Sequence, residues 1–428
     1  MKLLMINRML FPRSAVENAM FRLAESLEKL GHEIIWFVRD HEDNLPLENS
    51  YAAPVRAPGE ENRLRAAWRT VRDSDMATCI DALIEHEQPD AAFIFAINRT
   101  LTWACMDVLA HWGIPTYVSV LDYTYLCPAR TMTRNDLECR KCLRGTFLPC
   151  VLHRCMDGDF MRSLLGAVEA RYLRLTKRYD LPAQYFVPSV YHKQLLEKAN
   201  FSSSPITAVD LPLPADAFRK QERQKRGSYF LYVGTLSERK GLATVLRAMS
   251  QCVTDTRLMV VGNGRDEADL KRFCHELGHN DRVDFVGQVP GKSVRQLMAQ
   301  CLCLITPSVC EEIGPWALLE AQALGKPAIV SDYGVLPERI IPGKTGFVFH
   351  GDDSLELAQC LDEMAEMSDE DYDAMCRAAR ADARKRYHPD NYAKRIIKIV
   401  QRTHPGELWE DIESMPDAED STPEAEHE

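Results

Sequence analysis

Leu302-Cys303-Leu304-Ile305-Thr306-Pro307-Ser308 is an apolar run closed by a proline loop, and soon after it comes Glu312-Ile313-Gly314-Pro315-Trp316-Ala317-Leu318-Leu319-Glu320. The run reads as a buried parallel strand with its exit loop. Pro315 suits a helix start, Gly325 suits its end, and Ala328-Ile329-Val330-Ser331 reads as a second buried strand. The pattern predicts a βαβ unit, with Glu312 at the strand-to-helix turn and Glu320 about two turns further along. Ligands of such sheets bind at the carboxyl ends of the strands. Two carboxylates there accept charge-assisted hydrogen bonds, which suits a polyhydroxylated ligand such as a ribose or a sugar. The competing reading is a solvated Glu312 and a Glu320 favoured near a helix N-terminus by the macrodipole. Spacing alone leaves both open.

Outward from this unit the chain divides in two. Its 428 residues are too many for one ordinary core, and 46 % hydrophobic residues suffice for two. The first 40 residues read strand, loop, helix, strand. Ser14-Ala15-Val16-Glu17 is a capping box, and apolar residues at 16, 19, 20, 23, 27 and 30 form a helical stripe. Gly31 closes that helix and Ile34-Ile35-Trp36-Phe37-Val38 returns as a buried strand. Strands are expected at Ala91–Ile97 and Thr116–Leu121, with Phe186-Val187-Pro188-Ser189 as the last of the first domain. The alternation predicts an α/β domain over 1–215, a linker from Leu211-Pro212-Leu213-Pro214 through the charged stretch 219–227, and a second α/β domain over 228–385.

The formal charge is −11, but it is unevenly spread. Residues 1–215 hold 25 Lys/Arg against 26 Asp/Glu, a net −1, while residues 403–428 carry ten acids and no Lys or Arg. That tail reads as a disordered acidic segment, so the total says little about any site. Residues 123–180 run the other way, with eleven bases against six acids. This excess is either a solvated face or a basic patch turned to anionic lipid or a lipid-linked pyrophosphate. The amino terminus, Met1-Lys2-Leu3-Leu4-Met5-Ile6-Asn7, is too short an apolar run for a signal peptide, and no apolar stretch reaches transmembrane length. A cytoplasmic location is expected. The first βα turn lacks a G-x-G-x-x-G, which disfavours a dehydrogenase.

Further glycine loops surround the opening motif in order. Tyr232-Val233-Gly234-Thr235-Leu236-Ser237-Glu238-Arg239-Lys240-Gly241, Val261-Gly262-Asn263-Gly264 and Phe285-Val286-Gly287 each close a strand-like run, and Gly343-Lys344-Thr345-Gly346 follows downstream. With the glutamate–seven–glutamate block they resemble the donor domain of family-4 retaining glycosyltransferases, across residues 228–348. That resemblance implies the GT-B fold: two Rossmann-like parallel-sheet domains facing across a cleft, with residues 386–402 as a closing helix. It implies transfer of a sugar from a nucleoside diphosphate sugar to a glycan or lipid-linked acceptor, without a catalytic cofactor. Glu320 would bind the ribose and Glu312 the donor sugar, while Lys240, helped by Arg239, would neutralise the leaving diphosphate. Gly234, Thr235, Gly262, Gly264 and Gly314 would border the donor.

Five of the 14 cysteines fall within 29 residues: Cys127, Cys139, Cys142, Cys150 and Cys155, with His153 beside them. Without an export signal a disulfide framework is disfavoured. Cys139-x2-Cys142 and Cys150-x4-Cys155 have knuckle-like spacing for a structural zinc, with unligated thiols or a redox pair as the other readings. Leu121-Asp122-Tyr123, Leu126-Cys127-Pro128 and Val151-Leu152-His153-Arg154-Cys155 also resemble an insert, here residues 123–160, of a bacterial branch of the family that acts in surface polysaccharide assembly.

The likeness fails in the amino-terminal half. Ser14-Ala15 stand where the family usually has a glycine pair, Leu121 and Ile97 where it has histidines, and Thr235 where it has an arginine. Two explanations remain. Either Asp122 (with a catalytic role), Asn98, Arg13 and Ser14 form a shifted acceptor side, or the chain is a catalytically weak partner or scaffold. A nucleotide-sugar epimerase shares the architecture, but no acid/base carboxylates stand out for it. The expected partners are a nucleotide sugar and a glycan or lipid-linked acceptor, with peripheral contact at the inner face of a membrane and no nucleic acid.

Overall fold

The computed structural model describes residues 1–12, 15–53, 73–95, 103–134, 137–218 and 226–403. The expected sites at Arg13, Ser14 and Asn98, most of the charged linker and the acidic tail beyond Thr403 lie outside the described residues. The chain forms two compact units, one of Met1–Arg134, Cys139–Pro212 and the segment from Pro389 onward, the other of Leu213–His388 with Asn135–Glu138.

The first unit is a parallel sheet of β1 (Lys2–Ile6), β2 (Glu33–Arg39), β3 (Ser50–Ala53), β4 (Ala91–Ile94), β5 (Thr116–Ser119), β6 (Gln184–Val187) and β7 (Ile206–Ala208), in the order β3-β2-β1-β4-β5-β6-β7. Central strands are apolar throughout because both faces are covered. The helix stripe does what its period predicts: α1 (Ala15–Lys29) buries Ala19, Met20, Leu23, Ala24 and Leu27 on this sheet. The other helices here are α2 (Ser74–Glu87), α3 (Ala104–His111), the short α4 (Leu148–Leu152), α5 (Phe160–Leu175) and α6 (Val190–Ala199). Phe186-Val187 does not end the sheet, as the sequence suggested. Ser189 caps α6 by accepting the His192 N–H at 3.0 Å, and Ile206–Ala208 pairs beyond it as an edge strand. Three residues are too few to show a period, and only the neighbouring strand makes them one.

The second unit is a parallel sheet of β8 (Tyr229–Val233), β9 (Arg257–Val261), β10 (Val283–Gly287), β11 (Cys303–Thr306), β12 (Ala328–Ser331) and β13 (Gly346–Phe349), ordered β10-β9-β8-β11-β12-β13. Helices α7 (Leu242–Met249), α8 (Glu267–Glu276), α9 (Gly291–Gln300), α10 (Trp316–Ala323), α11 (Ser354–Glu366) and α12 (Asp369–Tyr387) cover it. Gly325 ends α10 as anticipated. At φ 76° it donates to Gln322 O, and Lys326 N–H donates to Ala321 O, a Schellman motif. The closing helix α13 (Pro389–Thr403) belongs to the first unit, where Tyr392, Ile396, Ile397 and Val400 join the core of α1 and β1.

Candidate functional site

Strands β8 and β11 are neighbours at the point where the strand order of the second sheet reverses. Chains leaving the carboxyl ends of two such strands diverge, and the gap between them is where open α/β sheets bind ligands. After β8 the chain passes Gly234 and Thr235, makes one tight turn over Glu238–Lys240, and enters α7 through Gly241. Gly241 has φ 71°, and a Cβ there would lie 1.9 Å from the carbonyl oxygen of Pro307 in the exit loop of β11. Only glycine allows that approach.

The loop after β9 lies against the loop after β8 in the same way. A Cβ on Gly262 would stand 1.9 Å from Gly234 O, and one on Gly264 2.1 Å from Leu236 O. Backbone bonds lock the layers: Gly234 N–H donates to Val261 O at 3.0 Å and Leu236 N–H to Asn263 O at 2.9 Å. Thr235 is exposed, and its carbonyl accepts the Tyr232 hydroxyl at 3.0 Å. Gly314 bonds through its carbonyl to the Trp316 N–H at 2.9 Å.

Within this frame the charged side chains converge. Lys240 Nζ donates to Glu312 Oε1, and Ser308 Oγ donates to the same oxygen at 2.8 Å. Ser331 Oγ donates to Ser308 O at 2.6 Å, tying the exit loop of β11 to the end of β12. The side chains of Lys240 and Glu312 are 21 % and 15 % exposed, so the pair is partly desolvated yet reachable by a ligand. Arg239 closes the loop through its backbone, its carbonyl accepting the Val309 N–H at 2.9 Å. Burial pushes the Cys310 thiol up; the Glu312 carboxylate adds to this, while Lys240 and Arg239 oppose it.

Glu320 sits half-buried in α10. Burial holds its carboxyl above the ordinary range, and the charge of Arg295 offsets only part of this. Among the described residues no hydrogen bond or ion pair links Glu320 to the Lys240–Glu312 pair. A partly desolvated carboxylate lacking such partners gains by accepting hydrogen bonds from a ligand's hydroxyl groups. Sequence reasoning missed Ser308, Ser331 and Ser237, whose hydroxyl is buried without a partner among the described residues. Ser308, four residues before Glu312, was the one of these with a readable signal.

Asp122 belongs to the first unit, and its Oδ1 accepts the Thr124 N–H at 2.8 Å, an Asx turn. Among the described residues no group of three or more His, Cys, Asp or Glu is placed to hold a metal ion. Cys139, Cys142, Cys150 and Cys155 lie close enough to influence one another's ionisation, and the free Cys150 thiol donates a hydrogen bond to the Cys155 sulfur. Yet Cys142 and Cys150 are packed as small apolar groups with Phe147, Val151, Ala167 and Ala170. Burial pushes both thiols up to about 12.

Residues 215–384 match the model of the family described as glycosyl transferases group 1. An uncharacterised glycosyltransferase of Methanocaldococcus jannaschii is 30 % identical over 174 residues, 40 % of this chain and 44 % of that protein. The phosphatidyl-myo-inositol mannosyltransferase of Mycobacterium leprae is 29 % identical over 181 residues, 41 % and 46 % of the two chains. The chain thus spans less than half the length of these curated relatives. The crystal structure of Anabaena HepE in complex with UDP aligns with a TM-score of 0.64 at 15 % identity, covering 94 % of this chain and all of that one (100 %). The lipopolysaccharide outer core galactosyltransferase WaaB in its apo form aligns with a TM-score of 0.64 at 16 % identity, covering 94 % and 100 %. Two parallel-sheet Rossmann-like units are the GT-B fold that this chain shares with those two structures, and its residues 215–384 match the glycosyl transferases group 1 model.

Proposed function

We propose that this protein is a retaining glycosyltransferase of the family-4 type that moves a sugar from a nucleoside diphosphate sugar to a glycan or lipid-linked acceptor. The observation that carries the reading is the convergence of Lys240, Glu312 and Ser308 at the strand-order reversal of the second unit. Lys240 takes the diphosphate, Glu312 turns to the donor sugar hydroxyls, and Glu320 accepts hydrogen bonds from the ribose. In the transfer the bond from the anomeric carbon to the diphosphate oxygen breaks. An acceptor hydroxyl oxygen bonds that carbon on the same face, and its proton passes to the departing phosphate oxygen. The charge appearing on the diphosphate is what Lys240 and Arg239 stabilise.

UDP bound to HepE and the mannosyltransferase and galactosyltransferase activities named for similar proteins support a nucleotide-sugar donor. The likeness of residues 123–160 to the polysaccharide-assembly insert supports work on surface polysaccharide in the cytoplasm, at the inner face of a membrane. Asp122, with Arg13, Ser14 and Asn98, serves the acceptor side in this reading. Among the described residues no helix is long and apolar enough to cross a membrane.

The test is calorimetry of the full chain with UDP-, GDP- and ADP-sugars, beside Glu320→Ala. Binding of one nucleotide sugar that the variant loses supports the donor site. Absence of binding to all three would transfer the argument to a non-catalytic partner, as the Thr235 and Leu121 departures would then have disabled the site.

A further inference from the structure

Helix α5 is apolar on both sides. The side it buries carries Ser163, Gly166, Ala167, Ala170 and Leu173. The opposite side carries large apolar residues: Met161, Leu165, Val168 and Leu175 are 55 %, 36 %, 56 % and 65 % exposed. Their spacing places them along one helix face. Helix α4 packs beside α5 and leaves Leu148 and Leu152 58 % and 69 % exposed. A helix facing only water carries its polar residues there, and clustered apolar exposure of this kind marks an interaction surface.

Charge selects the occupant. Exposed Arg144, Arg154, Arg162, Arg171 and Lys177 lie on or beside these two helices, within the segment that holds eleven bases against six acids. Of these, Arg162 is offset by Asp157, which pairs with it at 2.9 Å, and Asp159 caps α5 by accepting the Arg162 N–H at 2.7 Å, which leaves Arg144, Arg154, Arg171 and Lys177 as the surplus. Apolar side chains amid a surplus of cations match the boundary between lipid headgroups and acyl chains of an anionic bilayer. We infer that the outer face of α4 and α5 is a membrane-docking surface, lying in the plane of an anionic bilayer. The apolar side chains enter the acyl boundary and the bases contact lipid phosphates. The inference sharpens the membrane location proposed above, but its test does not depend on glycosyl transfer.

The experiment is sedimentation of the full chain with vesicles of phosphatidylcholine alone or mixed with phosphatidylglycerol. Binding to the mixed vesicles is expected, weakened by salt and at least about ten-fold by the double change Leu165→Ser with Val168→Ser. Arg144→Glu with Arg154→Glu should weaken it too, and serves as the reading if the serine pair disturbs folding. Nucleotide-sugar binding should be unchanged in both. No binding to mixed vesicles, or binding that neither variant weakens, overturns the inference. So does self-association that the serine pair abolishes, which would make a second copy of the chain the occupant.

Discussion

Lys240 and Glu312, 72 residues apart in the chain, form an ion pair at the carboxyl ends of β8 and β11. Glu312 Oε1 also accepts from Ser308, so one carboxylate oxygen serves two donors while the ammonium keeps two further protons for a ligand. The pair thus holds a cation in place before any diphosphate arrives, which is the preorganisation that electrostatic stabilisation requires.

Removing that cation should be felt in the reaction more than in the fold. Lys240→Ala is expected to lower kcat/KM by about a hundredfold or more, the usual cost of losing one preorganised charge donor. Steady-state kinetics with the nucleotide sugar found by calorimetry checks this, and an unchanged kcat/KM would remove Lys240 from its phosphate role.

Glu320 should trade stability for binding. Its folded-state pKa is raised by burial, so the folded state holds the proton more tightly than the unfolded one. The penalty is absent below the unfolded pKa and grows as pH rises through the folded one. Glu320→Gln is therefore expected to raise Tm at pH 8, to lose that advantage by pH 4, and to bind the nucleotide several-fold more weakly. Scanning calorimetry at the two pH values with a titration at pH 8 measures all three.

Gly241→Ala should damage the loop outright. The new methyl would meet Pro307 O in a left-handed backbone conformation. The conformation alone costs on the order of 1–3 kcal/mol, and the clash adds to it. Urea denaturation should show a lower midpoint, and nucleotide binding should weaken as the Lys240 turn shifts. A midpoint equal to the unaltered chain's would show that the two loops do not pack this closely.

His192 should set part of the acid sensitivity of the first unit. The ring is buried against Tyr123 at 5.1 Å, both nitrogens lack partners among the described residues, and burial pushes its pKa down to about 3. A depressed histidine leaves the fold unpenalised above its unfolded pKa near 6.5 and costs stability as pH falls below it. The slope is about 1.4 kcal/mol per pH unit between those limits. His192→Leu should flatten the dependence of stability on pH between 6.5 and 4, read by denaturation at several pH values.

Much of the fold was readable because its signals are local. A continuous apolar run such as Leu302–Ile305, a stripe such as 16, 19, 20, 23, 27 and 30, or a glycine closing a helix reports the conformation of its own neighbourhood. The alternation of the first domain and the βαβ unit that places Glu312 and Glu320 came from such signals, while Gly234 and Lys240 were placed by the resemblance of their loop. What the chain alone determined, then, was the identity of the elements and the residue types at their ends. Tertiary structure decided which ends meet. Pairing Lys240 with Glu312 depends on β8 lying beside β11, and that strand order is a property of the packed sheet. The same holds for the edge strand Ile206–Ala208 and for the outward apolar face of α5. Periodicity tells that a helix has two faces, but only the neighbours it packs against decide which one water sees.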